Sequence, residues 1–253
     1  MKVLFLICFS FPCLFLFGNT SQPYSVNEPA VLVFSKTTGF RHSSIKEGKL
    51  ALIQLGKENG FRVDTTENAG YFTYEILKNY AAVVFLNTTG DIFDTAQKAS
   101  FQRYIRAGGG FVGIHSATDT EFDWQWYGKL VGGYFANHPP VQEAAILITD
   151  KFHISTRHLL EPWIHTDEWY NFKSLNPQVN VLLSLDVSSY RGSKHVEGHP
   201  IAWYHEFEGG RAWYTGLGHT NESYSDIKFL QHLLGGILYA GGLEDLLYEK
   251  DAD

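Results

Sequence analysis

The hydrophobic pattern divides this chain into two unlike halves. In the first, short unbroken apolar runs alternate with longer amphipathic stretches. Residues 30–34 and 80–86 are continuous enough to be strands buried on both faces. Ser44 and Glu47 have the spacing of a capping box, and Ile45, Leu50, Ile53 and Leu55 predict a helix ending near Gly60. Residues 61–64 predict a second short strand. Asp94 can cap a helix that runs to Arg106, Gly108 to Gly110 stop it, and Phe111 to Ile114 form a fourth strand. Strands and helices alternating over short connections are the signature of a parallel sheet covered on both faces.

The second half is different. Residues 141–149 alternate like a half-exposed strand, and residues 163–172 mix aromatic with polar side chains. Residues 179–186, 200–207 and 211–217 predict successive strands, the last two joined as a hairpin by Glu208-Gly209-Gly210. Residues 221–239 close the chain as an amphipathic helix, with Ile227, Leu230, Leu234, Ile237 and Leu238 at helical spacing. The pattern predicts one α/β domain over residues 30–243, with antiparallel strands added late, and a tail at 244–253.

The start of the chain breaks this pattern. Lys2 precedes residues 3–17, which are apolar except for Ser10 and Pro12, and Gly18-Asn19-Thr20-Ser21 follows. That order is the order of a secretory signal peptide. The apolar run is shorter than the ~20 residues needed to span a bilayer. The expectation is a leader at 1–21, a linker at 22–29, and an exported mature protein, periplasmic or extracellular, with no stable membrane insertion. Cys8 and Cys13 both fall within the leader, so the mature chain holds no thiol nucleophile, no thiolate ligand and no disulfide. A net charge of −7 argues against a nucleic-acid partner, which needs a basic footprint.

Four polar clusters fall at or near predicted strand ends, where α/β sheets bind ligands. Thr37-Thr38-Gly39-Phe40-Arg41-His42 follows the first strand, and His115-Ser116 with Asp119 follows the fourth. Asp167-Glu168-Trp169-Tyr170, preceded by His165, lies in the second half, and Thr215-Gly216-Leu217-Gly218-His219-Thr220 follows the last strand. His138, before two prolines, is a further cleft candidate. Each cluster also has a plain structural reading, as a helix cap, a tight turn or a core aromatic. A histidine near a helix N-terminus is held neutral, as a metal ligand or general base must be.

No His-x-x-x-His or His-Glu-x-x-His pair occurs, so a metal site would have to be assembled from distant segments. His42, His115 and His219 are the candidate ligands for a divalent metal such as zinc. His115, Glu168 and Asp119 are the candidate catalytic groups, and Arg41, Ser116, Trp126, His138 and Trp169 the candidate contacts to substrate. A serine triad on Ser116 is also conceivable, although Ile114 and Thr118 stand where Gly-x-Ser-x-Gly requires glycines.

The segment from Gly108 to Asp119 resembles the nucleophile elbow of class I amidotransferases, with His115 in the place of the cysteine. Further motifs are Thr38-Gly-Phe-Arg-His42, Trp126-Tyr127-Gly128, Tyr134-Phe135 with His138-Pro139, Asp167-Glu-Trp-Tyr170, His199-Pro200-Ile-Ala-Trp203 and Gly216-Leu-Gly-His219. Together, in this order, they resemble the trehalose-utilisation ThuA-like family from about Val31 to Gly242. The resemblance implies a class I glutamine amidotransferase-like fold without its triad: a flavodoxin-like three-layer α/β sandwich around a mainly parallel sheet. It also implies sugar catabolism, often beside oxidoreductases that make 3-keto sugars. The expected protein is an exported enzyme acting on a disaccharide or 3-keto-glycoside by lyase, isomerase or hydrolase chemistry. The alternative is a non-catalytic sugar-binding module that assists a partner enzyme. The leader departs from the intracellular relatives.

Overall fold

The apolar run Ala30–Phe34 forms strand β1, buried at every residue. The computed structural model describes residues 28–195 and 198–247; the expected leader, most of the linker and the end of the tail lie outside the described residues. After β1 come α1 (Ile45–Asn59), β2 (Arg62–Thr66), the short α2 (Tyr74–Leu77) and β3 (Ala82–Leu86). Next are α3 (Thr95–Arg106), β4 (Gly110–Ile114), α4 (Gln125–Val131) and β5 (Tyr134–Asn137). The second half supplies β6 (Gln142–Ile148), β7 (Trp163–Asp167), β8 (Asn171–Lys173), β9 (Asn180–Leu185), β10 (His199–Phe207), β11 (Gly210–Thr215) and α5 (Ile227–Gly241).

One large sheet has the order β2-β1-β3-β4-β11-β10-β9-β6-β7, and β5 pairs with β8 separately. From β2 to β11 the neighbours are parallel, in the flavodoxin-like 2-1-3-4-5 order with β11 in fifth place. From β11 to β7 they are antiparallel. β1, β3 and β4 are buried at every residue because helices cover both sides, which is why these runs carry no polar alternation. On one side Phe101 of α3 and Tyr127 of α4 pack against Phe85, with Phe111 between them. α1 and α5 touch each other and cover strands of the sheet. α5 lies so close that a Cβ on its Gly236 would fall 2.5 Å from the Trp213 ring. No helix among the described residues is long and apolar enough to cross a membrane.

Three sequence expectations are corrected. Ser44 makes no capping bond; its buried hydroxyl donates to the Gly218 carbonyl at 3.1 Å, and the capping box forms instead between Asp94 and Gln97. The buried face of α1 is Ile45, Gly48, Leu52, Leu55 and Gly56, whereas Leu50 and Ile53 point to solvent. Two glycines let this helix sit flush on its neighbours, so the contact face rotates away from the larger residues. α5 begins later than expected, after a 3-10 turn at Glu222–Ser225, with Ile227 exposed and Phe229, Leu233 and Ile237 inward.

A buried carboxylate ties the loop after β3 to this frame. Glu121 accepts the backbone N–H groups of Ile92 and Phe93 at 2.9 Å each and pairs with Lys98 at 2.5 Å. Removing it takes a partner from the partly exposed Lys98 and leaves two buried N–H groups without acceptors. Glu121→Ala is expected to lower unfolding free energy by about 2–4 kcal/mol in urea titration. A loss below ~1 kcal/mol would show that water replaces the carboxylate.

Candidate functional site

Strands of both halves end on one edge of the sheet. His42 lies in the loop after β1, His115 is the first residue beyond β4, and His219 lies in the loop after β11. An even number of antiparallel reversals separates β7 from β11, so both strands run the same way and β7 delivers Glu168 to the same edge. His42, His115, Glu168 and His219 each place one nitrogen or carboxylate oxygen within 4.8 Å of the others.

Local geometry aims each ring. His115 sits at φ +49°, in the left-handed region that is strained for a side chain with a Cβ, as the strand breaks into a 3-10 turn. Its Nδ1 donates to the Gly216 carbonyl at 2.8 Å, which turns Nε2 toward the cluster. That Nε2 is 3.2 Å from His219 Nδ1 and 3.5 Å from Glu168 Oε2. Glu168 Oε2 is also 3.1 Å from His219 Nδ1, and Oε1 is 2.9 Å from His138 Nδ1. The His42 ring stands edge-on to both other rings, with Nδ1 3.4 Å from the Ser116 hydroxyl. Asn87 braces the assembly from below, donating to Ser44 Oγ and to the Gly218 carbonyl.

The charges follow from this packing. Burial, reinforced by His115 and His219, pushes His42 down to about 3, so it is a neutral ligand-competent imidazole. Burial pushes the Glu168 carboxyl up, but hydrogen bonds from His115 and His219 overcome this and hold it well below its usual range. Burial likewise opposes the charge on His219, yet the bond to Glu168 raises it overall. Three imidazoles and one carboxylate form a donor set suited to zinc or a similar divalent ion.

Above the cluster opens a pocket of about 290 Å³. Phe40, Phe135 and Tyr170 form apolar walls, Asp119 and His138 supply polar groups, and His42, Glu168 and His219 complete the lining. Its size suits one ring-sized ligand rather than a chain of several. Burial pushes Asp119 up to about 6, against the opposing pull of His115 and Lys173. A larger groove of about 740 Å³ lies at the opposite end of the sheet, lined by Tyr204, Glu206 and Tyr239 among others, without a comparable ligand cluster among the described residues.

Six of the residues expected from sequence thus meet here: His42, His115, Asp119, His138, Glu168 and His219. Four do not line the pocket. Arg41 forks onto Glu67 at 2.9 and 3.0 Å outside it. Ser116 is fully buried behind His42, out of a substrate's reach. Trp126 bonds Glu208 of the β10–β11 hairpin, at the opposite end of β11. Trp169 is a core residue, with no exposed surface and its indole N–H donated to the Gln142 carbonyl. Phe40, Phe135 and Tyr170 were not singled out as pocket walls, although all three stand inside quoted motifs. Nothing in the local pattern marks Asn87.

The sequence matches the family ThuA, described as trehalose utilisation, over residues 30–240. Comparison with curated proteins finds no match. Among solved structures, a ThuA-like protein from Bacteroides uniformis is 24% identical with a TM-score of 0.73, covering 88% of this chain and 95% of that one. A ThuA-like protein from Parabacteroides merdae is 18% identical with a TM-score of 0.71, covering 85% and 90%. A β-galactosidase from Bacillus circulans is 14% identical with a TM-score of 0.57, and the match covers 85% of this chain but 31% of that one. These structural likenesses establish the fold.

Proposed function

The chain belongs to the ThuA family of trehalose utilisation, and from that premise we propose that it is an exported, metal-dependent enzyme acting on a disaccharide or 3-keto-glycoside. The observation that carries the reading is the convergence of His42, His115, Glu168 and His219 on one point beneath an aromatic-walled pocket. A divalent cation held there would act as a Lewis acid toward a sugar oxygen.

The remaining groups suit elimination better than ordinary glycosidase chemistry. A glycosidase needs two available carboxylates flanking the bond. Here Glu168 is engaged by three histidines, and Asp119 is the other carboxylate of the pocket lining. In a 3-keto-glycoside the carbonyl acidifies the C–H at carbon 2. Asp119 would take that proton, the C–H electron pair would form the carbon 1–carbon 2 double bond, and the glycosidic C–O bond would break. The departing oxygen would be protonated at the mouth of the pocket, where His138 stands. Phe40, Phe135 and Tyr170 would hold the ring face, and no Arg or Lys in the lining calls for an anionic substrate.

The test is mass and metal analysis of the mature protein recovered from its native host. One divalent ion per chain, a mass that corresponds to loss of residues 1–21, and loss of 3-keto-glucoside turnover on chelation are expected. Sugar binding with neither metal nor turnover would replace this reading with a binding module. A chain that retains its first residues would remove export.

A further inference from the structure

We propose that Asp167 is the positioning residue of the metal centre, setting Glu168 and His219 as ligands and acting only through those two. The inference rests on the metal reading above. Asp167 ends β7 and has no exposed surface, so it cannot itself reach the pocket. Its Oδ1 accepts the backbone N–H of Glu168 at 2.8 Å and of His219 at 3.1 Å. Its Oδ2 accepts the N–H of Gly218 at 2.8 Å and the Ser223 hydroxyl at 3.0 Å. One carboxylate thereby uses about all the acceptor capacity it has.

What it joins gives this arrangement its meaning. The two loops are remote in sequence, and each brings one ligand. Gly218, at φ +109°, lets two successive N–H groups turn toward the same carboxylate, a small anion nest of backbone donors. A Cβ at that position would fall 2.8 Å from the Tyr224 hydroxyl, so both space and conformation call for glycine. Ser223 belongs to the 3-10 turn before α5, and His165 links the network to Asp226 at the start of that helix. The other two ligand rings make their own contacts elsewhere: His115 is held by the Gly216 carbonyl, and His42 faces Ser116. Asp167 bonds neither of those rings, whereas it accepts the backbone N–H of both Glu168 and His219. Asp167 therefore acts on the pair of ligands contributed by the end of β7 and the loop after β11.

This division predicts a pattern of couplings that a general stabilising role does not. Zinc affinity is measured on the full mature chain by competition with a chromophoric chelator. Asp167→Asn keeps the shape but loses acceptor sites, and is expected to weaken zinc binding about 10- to 100-fold. In a His219→Ala or Glu168→Ala background, the same change is expected to cost much less than in the wild type, because the group it positions is gone. In a His42→Ala background the full cost is expected to persist, within about twofold. Equal cost in all three backgrounds, or wild-type zinc affinity in folded Asp167→Asn, overturns the proposal. If Asp167→Asn does not fold, Ser223→Ala runs the same cycle with a smaller loss, and an absence of coupling to His219 there overturns it equally. A wild-type chain that binds no zinc instead removes the metal reading itself.

Discussion

His115→Ala is expected to lose about 10³-fold in kcat/KM on a 3-keto-glucoside, because Lewis-acid stabilisation contributes several kcal/mol and each 1.4 kcal/mol is about tenfold. His115 is the central member of the cluster. Its Nε2 faces both Glu168 and His219, and its own Nδ1 is already committed to Gly216. Alanine leaves three donors around a hole and no replacement for the nitrogen lost. Zinc affinity is expected to fall with activity, which separates loss of a ligand from loss of a base that touches substrate alone. The backbone offers a second readout. Alanine retains the strain at φ +49°, whereas glycine relieves it, so His115→Gly is expected to be more stable than His115→Ala by about 1 kcal/mol although equally inactive. Undiminished turnover in His115→Ala would sink the assignment.

Asp119→Asn is expected to cost about 10²- to 10⁴-fold in kcat, the usual range for removing a general base, while making the protein more stable near pH 7. Burial raises this carboxyl from 3.8 to about 6, so the folded state binds its proton more tightly than the unfolded state does. The stability contributed by this group is therefore full below pH 3.8 and is lost as pH rises through about 6. At neutral pH the ionised group works against folding, and asparagine removes that penalty. Because Asp119 is partly exposed, solvent screening limits the gain to about 1 kcal/mol. The wild-type rate is expected to rise with pH through about 6 as the base ionises, and this limb should vanish in the variant. A rate profile that keeps its acidic limb in Asp119→Asn would assign the base elsewhere.

Much of the site was legible because strand ends are legible. His42, His115 and His219 each follow an apolar run of the parallel half, and in such a sheet the carboxyl ends of parallel strands gather on one edge. Residue type alone was a poorer guide. Trp169 and Trp126 have the chemistry of a sugar platform, but a large aromatic is equally the natural core residue, and only neighbours distinguish the two. Arg41 stands beside His42 in sequence yet points away, because Glu67 meets its guanidinium on both nitrogens.

By itself, the sequence determined the alternation of buried strands and helices and the placement of three histidines at strand ends. It also determined that no cysteine lies in the matched family region, residues 30–240, so chemistry there cannot use a thiol. These are local properties, set by the side-chain period and by composition. Only the tertiary structure decided that Glu168 joins the histidines, that His138 closes over it, and that Asp167 binds two remote loops together. Those contacts depend on the pairing order of five antiparallel-linked strands, which carries the end of β7 back to the loop after β11. Strand order is a global choice among packings, so no window of neighbouring residues encodes it.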